Sequence, residues 1–469
     1  MTAAIILDGQ TVELTSAMLE KYDVPGPRYT SYPTAPMWDD EFGPDDAQRL
    51  IRASNEPVDG AVRPLSLYTH LPFCEQLCLF CGCNVIVRQN HDHADAYLAT
   101  LKQDVTAVAR LIDKTRPVIQ FHWGGGTPTY FASGQLEELF AHMTDSFTFA
   151  ADAEIGVEID PRVTTPEHLR TLRRLGFNRI SMGLQDFDPE VQAAVKRVQS
   201  VGMVRDMVEQ CRELGFESVN IDLMYGLPLQ SADKFAFTVD RVIELSPDRI
   251  ALFNYGHVPW IKKYQQVLTP LLPSRDEKFA IFSLAMAALT GAGYAYVGMD
   301  HFARPNDELC VAQRSGTLHR NFQGYTTKAG ADLIGFGVTS IGELNQAYVQ
   351  NWRGLDEWRK AVTEGVLPVM RGVELSLDDV IHRAAISAIL CQTVIDKAAF
   401  REQYGVDVDD YFADAIGKLQ PLIEDGLVAV TPEAIRVTPL GRVFLRNIAM
   451  AFDAYLEPDP DRPMYSRTV

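Results

Sequence analysis

The sequence predicts an α/β fold, a parallel sheet whose strands alternate with helices, with an N-terminal extension and a mostly helical C-terminal region. Three observations lead there. Between residues 65 and 255, six short apolar runs alternate with stretches of helical periodicity, the pattern of βα units joined by right-handed crossovers. Polar and glycine-rich punctuation falls at the ends of those runs, where parallel barrels place their active sites. Beyond about Leu375 helical patterns take over. An open three-quarter (β/α)6 barrel and a doubly wound sheet both satisfy this pattern.

Residues 1–60 precede the first strand. Lys21 to Ala35 reads KYDVPGPRYTSYPTA, and Pro25, Pro27 and Pro33 forbid a regular helix there. Its tyrosines and Arg28 suit packing over a site better than flexing in solvent. The opening MTAAIILDGQ lacks a basic n-region and a long apolar run, so no secretory signal is expected. SLYTH (66–70) reads as a strand leading into a cysteine-rich loop, followed by a helix over 92–113. VIQFHW (118–123) is a strand, followed by GGGTPT (124–129) and a helix near 134–147. EIGVEI (154–159) is a strand ending at Asp160-Pro161, ahead of a helix from about 165. RISMG (179–183), VNIDLMYG (219–226) and RIALFNY (249–255) complete the six strands. Residues 270–370 are mixed and carry two loops rich in hydrogen-bonding groups, GMDHFARPNDEL (298–309) and HRNFQGYTT (319–327). LIEDGLVAVTPEAIRVTPLGRVFL (422–445) reads as a helix, a two-strand wing and another helix. The expected division is a segment 1–60 covering the site, a catalytic domain 61–370 and a winged-helix-like domain 371–469.

A net charge of −19, from 43 basic and 62 acidic residues, argues against binding nucleic acid or an anionic membrane. The wing region has few basic residues and is expected to be a structural cap. Of seven cysteines, four share one loop while Cys211, Cys310 and Cys391 stand alone, which is no disulfide framework. No apolar run is long enough to span a bilayer. A monomeric cytosolic protein is expected.

The chemistry concentrates in Cys74-Glu75-Gln76-Leu77-Cys78-Leu79-Phe80-Cys81-Gly82-Cys83. Thiolates are soft ligands that suit iron–sulfur clusters, zinc or copper(I). A zinc site built from two C-x-x-C pairs would need a second pair far along the chain, and the sequence has none. GGGTPT lets backbone approach a ligand closely, but it is neither a P-loop nor a dinucleotide fingerprint, because Pro128 interrupts the turn. The ten histidines show no H-x3-H or H-E-x-x-H spacing. No Ser-His-Asp or paired-carboxylate set stands out, which fits an enzyme whose cofactors carry the hard chemistry.

C-x3-C-x2-C resembles the cluster loop of radical S-adenosylmethionine (SAM) enzymes. There three thiolates hold three irons of a [4Fe–4S] cluster, and the fourth iron takes the amino and carboxylate groups of SAM. The resemblance points to Cys74, Cys78 and Cys81 as ligands, with Cys83 a bystander close by. In such a site the glycine loop meets the amino-acid end of SAM, and Tyr68 stacks near the adenine. Glu158 and Asp222 take ribose hydroxyls or face the sulfonium, and Phe80 shields iron. Each has a plainer alternative: a half-buried strand tyrosine, an acid capping the next helix, a tight turn.

Longer marks narrow this further: PRYTSYPTA, HLPFCEQLCLFCGCN, HWGGGTPTY, VEIDPR, GLQDFD, VNIDLMYGLP, GMDHFARPNDELCVAQR and HRNFQGYTT. Together they resemble the oxygen-independent coproporphyrinogen III oxidases of haem biosynthesis, from about Lys21 to the final residues. The resemblance implies the open barrel and two SAM molecules in one pocket. The first is matched by Tyr68, Gly125, Glu158 and Ile341. The second is matched by Phe80, Gly126, Thr127, Gln185, Arg197, Asp222 and Gly256, the last standing where an alanine is expected. Gln323 and the segment Arg28–Tyr32, including Tyr29, are candidates for positioning the porphyrinogen. Arg28, Arg197, Arg304 and Arg320 are the basic groups suspected of meeting its carboxylates. The implied reaction converts the ring A and B propionates to vinyls through a SAM-derived 5′-deoxyadenosyl radical, with an unidentified electron donor and acceptor. The alternative is a haem-binding chaperone of the same superfamily; such relatives typically lack the fourth cysteine and PRYTSYPTA, and both are present here.

Overall fold

The computed structural model describes residues 1–58, 60–456 and 465–468. Six parallel strands form its centre: β1 (Leu65–Leu71), β2 (Pro117–Gly125), β3 (Thr148–Ile159), β4 (Arg179–Gln185), β5 (Ser218–Tyr225) and β6 (Arg249–Asn254). They match the six apolar runs, with β3 reaching further back than its run. Helices Ala94–Ala109, Ser133–Ser146, Pro166–Arg174, Val201–Glu213, Ala232–Leu245 and Arg275–Gly291 follow the strands in turn. Several are started by side-chain caps. Thr165, Ser200, Ser231 and Ser274 each accept an N–H from the first turn, satisfying a donor that would otherwise have no partner.

Strand order settles what periodicity leaves open. A doubly wound sheet reverses its order at a switch point. Here β1 to β6 lie side by side in sequence order, every neighbour parallel, and such a run curls one way into a barrel. The barrel is open. Antiparallel strands β7 (Ala295–Gly298) and β8 (His301–Ala303) extend it beyond β6. On the other side a seventh parallel strand, β9 (Asp332–Phe336), pairs with β1, and β10 (Ile341–Leu344), β11 (Ala347–Asn351) and β12 (Val369–Glu374) continue antiparallel. The result is one twelve-stranded sheet with β7 and β12 at its edges.

Alternation along the strands sorts the layers. On β2, Phe121 and Trp123 point outward into an aromatic layer with Phe140 and Phe177; the Trp123 and Phe177 centroids lie 4.6 Å apart. Gln120 points inward. It accepts from Ser66 (2.8 Å) and donates to Glu154 (2.8 Å) and Thr326 (3.1 Å), while Arg179 and Arg249 both reach Glu308. This polar layer fills the barrel near the start of its strands, so ligands have access from the C-terminal ends.

An N-terminal hairpin, Thr2–Leu7 and Gln10–Thr15, precedes a helix Ser16–Tyr22, and the hairpin packs on the helix Arg275–Gly291. Beyond the sheet, helix Leu377–Ser387 leads to a three-stranded sheet of Val394–Asp396, Val428–Val430 and Ala434–Val437 with short helices around it. The wing thus gains a strand that the pattern of residues 422–445 does not contain. Among the described residues no helix is long and apolar enough to cross a membrane.

Candidate active site

The cysteine loop leaves the end of β1. Phe73–Cys74 pairs in parallel with Ile86–Val87, clamping the loop's two ends together. Its middle is held from outside. Leu79 N–H donates to the Val195 carbonyl (3.0 Å), and one segment after β6 supplies three donors. Lys262 Nζ reaches the Cys83 carbonyl (2.7 Å), Gln265 Nε2 the Phe80 carbonyl (3.0 Å) and the Tyr264 hydroxyl the Cys81 carbonyl. Phe80 and Cys78 sit in a small apolar cluster with Val191, Val195, Leu227, Tyr255 and Leu268.

Cys74, Cys78, Cys81 and Cys83 all line one cavity of ≈ 560 Å³. Cys83 is exposed, Cys78 buried, and the other two lie between. Cys74 Sγ lies 3.4 Å from Thr127 Oγ1, and burial pushes its thiol up to about 11. Cys81 and Cys83 are in hydrogen-bond contact, and that contact draws the Cys81 thiol down to about 7 while raising the Cys83 thiol. Two guanidinium groups face Cys78 Sγ, Arg162 Nη2 at 3.4 Å and Arg197 Nη1 at 3.5 Å. Both also bind Asp160, at 2.6 and 3.0 Å. Burial raises the Asp160 carboxyl, but the two arginines outweigh it and hold it below the usual carboxylate range. Two guanidinium groups against one carboxylate leave net positive charge facing the sulfur.

The glycine loop closes the cavity's other wall. A Cβ at Gly126 would lie 2.5 Å from the Pro72 carbonyl carbon and 2.7 Å from the Phe73 oxygen, so the close approach to the cysteine strand requires glycine. Gly125 has φ +113°, and its N–H donates to Glu158 Oε2 at 3.0 Å. Glu158 also lies 3.7 Å from His122 Nε2. Burial raises its carboxyl, but His122 and the Gly125 N–H hold it below its ordinary value. Asp222 behaves oppositely. Burial and the nearby Glu158 charge push it up to about 7, against weaker pulls from Asn220 and Arg197.

The sequence-predicted residues fall into two adjoining cavities that share Glu158. Phe80, Gly125, Gly126, Thr127, Gln185, Arg197 and Asp222 line the cysteine cavity. Tyr68, Ile341 and Gln323 line a smaller one of ≈ 220 Å³ with His70, His122 and Phe322. There the Tyr68 ring stacks on His122 with 11° between planes, and its hydroxyl lies 3.1 Å from His70 Nδ1. Gln185 Oε1 and Gln323 Nε2, one facing each cavity, are buried without a hydrogen-bond partner among the described residues. On a cavity wall, such unpaired groups are what a bound ligand can satisfy.

Other residues land elsewhere. Gly256 follows β6 but joins neither lining; a Cβ there would meet only Ser466, at 3.9 Å. Arg28 is bound to Asp300 and lies over the Phe253 ring, whose far side belongs to the cysteine cavity. Tyr29 donates to Asp453 at 2.9 Å. Arg320 lies over Tyr325 with Nε and Nη1 unpaired, on the wall of a separate cavity of ≈ 450 Å³. Arg304 is a correction. It stacks on Tyr294 and bonds Ser246, and its N–H donates to the Asp248 carbonyl at the start of β6, the opposite end of the barrel from the cysteines. Sequence reasoning missed Arg162, His70, His122 and the Lys262–Gln265 clasp. Only Arg162 left a signal, three residues past a strand end in VEIDPR.

Among the described residues no three His, Cys, Asp or Glu side chains converge as on a single ion. The three thiols instead stand around a cavity wall, an arrangement suited to a cluster in which each thiolate holds its own iron.

Similarity to known proteins agrees with this geometry. Residues 68–242 match the Radical SAM superfamily model and residues 375–444 the HemN C-terminal domain model. Curated relatives named oxygen-independent coproporphyrinogen III oxidase include one from Synechocystis, 44% identical over 98% of this chain and 99% of its own. Another, from Escherichia coli, is 45% identical with the same coverage. The solved structure of the Escherichia coli coproporphyrinogen III oxidase, described as a radical SAM enzyme, superposes with a TM-score of 0.90 at 44% identity, covering 95% of this chain and 100% of that one. With the cysteine cavity, the glycine loop and the full length of the chain in agreement, this protein belongs to the oxygen-independent coproporphyrinogen III oxidase family of radical SAM enzymes.

Proposed function

We propose that this chain catalyses the oxygen-independent oxidative decarboxylation of the ring A and B propionates of coproporphyrinogen III to vinyl groups, giving protoporphyrinogen IX. The observation that carries the reading is three cysteines and a glycine loop on one cavity, in a chain that matches the family end to end. The haem-chaperone alternative is set aside, because the full-length relatives bear the oxidase's name.

The residues fit the family's cofactors. Cys74, Cys78 and Cys81 would hold a [4Fe–4S] cluster, with the Arg162 and Arg197 guanidinium groups facing the Cys78 sulfur and Cys83 free. The orphaned Gln185 and Gln323 amides, one on each cavity, are the groups that two SAM molecules would satisfy. When bound, cluster and SAM supply a strongly oxidising carbon radical that takes a hydrogen from a propionate side chain.

The chain's own work is to bind, orient and exclude. Tyr68, Gly125, Glu158 and Ile341 form one SAM subsite, and Phe80, Gly126, Thr127, Gln185, Arg197 and Asp222 the other. Glu158, held ionised, and Asp222, which titrates near neutrality, set the charge that a sulfonium meets. The polar layer behind them closes the barrel to water from below, so a reactive species meets only the substrate positioned against it. Arg320, whose Nε and Nη1 are unpaired on the wall of the separate cavity, supports a reading in which it takes a substrate carboxylate. Arg28 and Tyr29 tie the segment 1–60 to Asp300 and Asp453, which makes that segment a cover over the mouth.

We assign the chain to the cytoplasm as a monomer that uses neither nucleic acid nor membrane. Its negative charge and reduced cysteines support this. Anaerobic reconstitution tests the whole proposal: the loaded enzyme should convert coproporphyrinogen III to protoporphyrinogen IX, whereas tight haem binding with the porphyrinogen unchanged would overturn it.

A further inference from the structure

The segment that clasps the cysteine loop has an unusual outer face. Its inner side spends Lys262, Tyr264 and Gln265 on three carbonyls of the loop. Its outer side shows Trp260 at 49%, Ile261 at 61%, Val267 at 62% and Leu271 at 40% exposure. Single exposed apolar residues are ordinary, but four on one short segment mark an interaction surface.

The charge around it is equally uneven. The chain holds 62 acidic residues, yet none falls between Arg249 and Arg275, where Lys262 and Lys263 lie. The neighbouring segment 191–205, whose Val195 carbonyl takes the Leu79 N–H, also lacks acids and contains Lys196, Arg197 and Arg205. The loop itself, residues 74–91, has Arg88 and one acid, Glu75. Three segments joined by hydrogen bonds thus make a patch with an apolar centre on which Lys196, Arg205, Lys262, Lys263 and Arg88 outnumber the single acid Glu75, on a protein of net charge −19. It covers the side where Cys83 is exposed, the short way from solvent to the cysteine cavity.

We propose that this face is the docking surface for a small, acidic, one-electron carrier protein. The inference rests on the proposed function, which requires one electron to pass from an external donor to the cluster for each SAM cleaved; the carrier is oxidised by that electron and no proton moves. Charge complementarity selects an acidic partner against the repulsion of the rest of the surface, and steers its approach. A few exposed apolar side chains around Trp260 match the small, transient interfaces typical of electron-transfer pairs.

The test uses the reconstituted enzyme and a purified acidic FMN-carrying electron-transfer protein as the probe. Binding is measured by biolayer interferometry at two ionic strengths, and carbodiimide coupling maps lysines lying against probe carboxylates. The wild type should bind more weakly at high salt and couple through Lys263 or Lys196. Lys263→Glu and, separately, Ile261→Asp should weaken binding about tenfold. SAM cleavage driven by dithionite should stay at the wild-type rate in both, showing that fold and cluster are intact. Unchanged affinity in both variants, coupling confined to lysines elsewhere, or no wild-type binding would overturn the proposal. Loss of the dithionite-driven rate in the wild type would instead overturn the catalytic reading and leave the binding result to stand alone.

Discussion

Gly126→Ala should break the cluster site without unfolding the chain. The added methyl would lie 2.5 to 2.7 Å from Pro72 and Phe73 backbone atoms, where ordinary contact begins near 3.4 Å. Backbone cannot rotate aside as a side chain can, so the glycine loop and the cysteine strand must part by nearly the whole overlap. Overpacking of this kind costs about 1–3 kcal/mol. Two hydrogen bonds hold the same seam, Gly126 N–H to the Leu71 carbonyl (2.8 Å) and Thr127 N–H to the Phe73 carbonyl (2.9 Å). Weakening both adds about 1–3 kcal/mol. The sum, about 2–6 kcal/mol, is below most of the typical total stability of roughly 5–15 kcal/mol, so the protein should still fold. Cys74 moves with Phe73, however, and a site of this kind tolerates displacements of only about 0.5 Å. Iron per chain after anaerobic reconstitution should therefore fall to less than about half of wild type, with a lower melting temperature for the apo protein. Gly134→Ala is the control, since nothing lies within 4 Å of a Cβ there. Full iron loading in Gly126→Ala with an unchanged melting temperature would refute the reasoning.

Cys81→Ser should abolish cluster assembly while Cys83→Ser retains part of it, read as iron and sulfide per chain; equal loss in both would displace the ligand assignment. Asp222, raised to about 7 in the fold, binds its proton more tightly folded than unfolded. Stability should then fall as pH rises from about 4 to 7, by a few kcal/mol at most, and Asp222→Asn should flatten that slope in urea unfolding of the apo protein. A variant with the wild-type slope would place the titration elsewhere. Arg116 and Asp332 form a fully buried pair at the far end of β9, with Arg63 as Asp332's other partner at 2.9 Å. Arg116→Met should cost about 3–5 kcal/mol in chemical denaturation while folded protein still loads full iron; a cost under about 1 kcal/mol would contradict the pair's role.

The six central strands were legible because each is a short apolar run bounded by polar or glycine residues. The seventh, DLIGF at Asp332–Phe336, was not: it is five residues long, includes a glycine, and lies in a stretch without periodicity. The N-terminal hairpin did leave a signal. Asp8 and Gly9 both take positive φ, 51° and 74°, as a two-residue turn between apolar runs requires. Barrel and doubly wound sheet share one periodicity, so only strand order could separate them. In the site, cysteine spacing and the glycine run are local features and can be read from sequence. The Arg162–Asp160–Arg197 set is not, because Arg197 meets Asp160 from another βα unit. Arg304 misled for the same reason: its loop is polar and close in sequence to β8, but it turns toward the wrong end of the barrel.

The most direct test of the central claim is mass spectrometry of the products formed when the anaerobically reconstituted protein is given coproporphyrinogen III, SAM and a strong reductant. The account predicts 5′-deoxyadenosine together with a tetrapyrrole lighter by two CO2 and four hydrogens. A fully loaded protein that forms neither would contradict it.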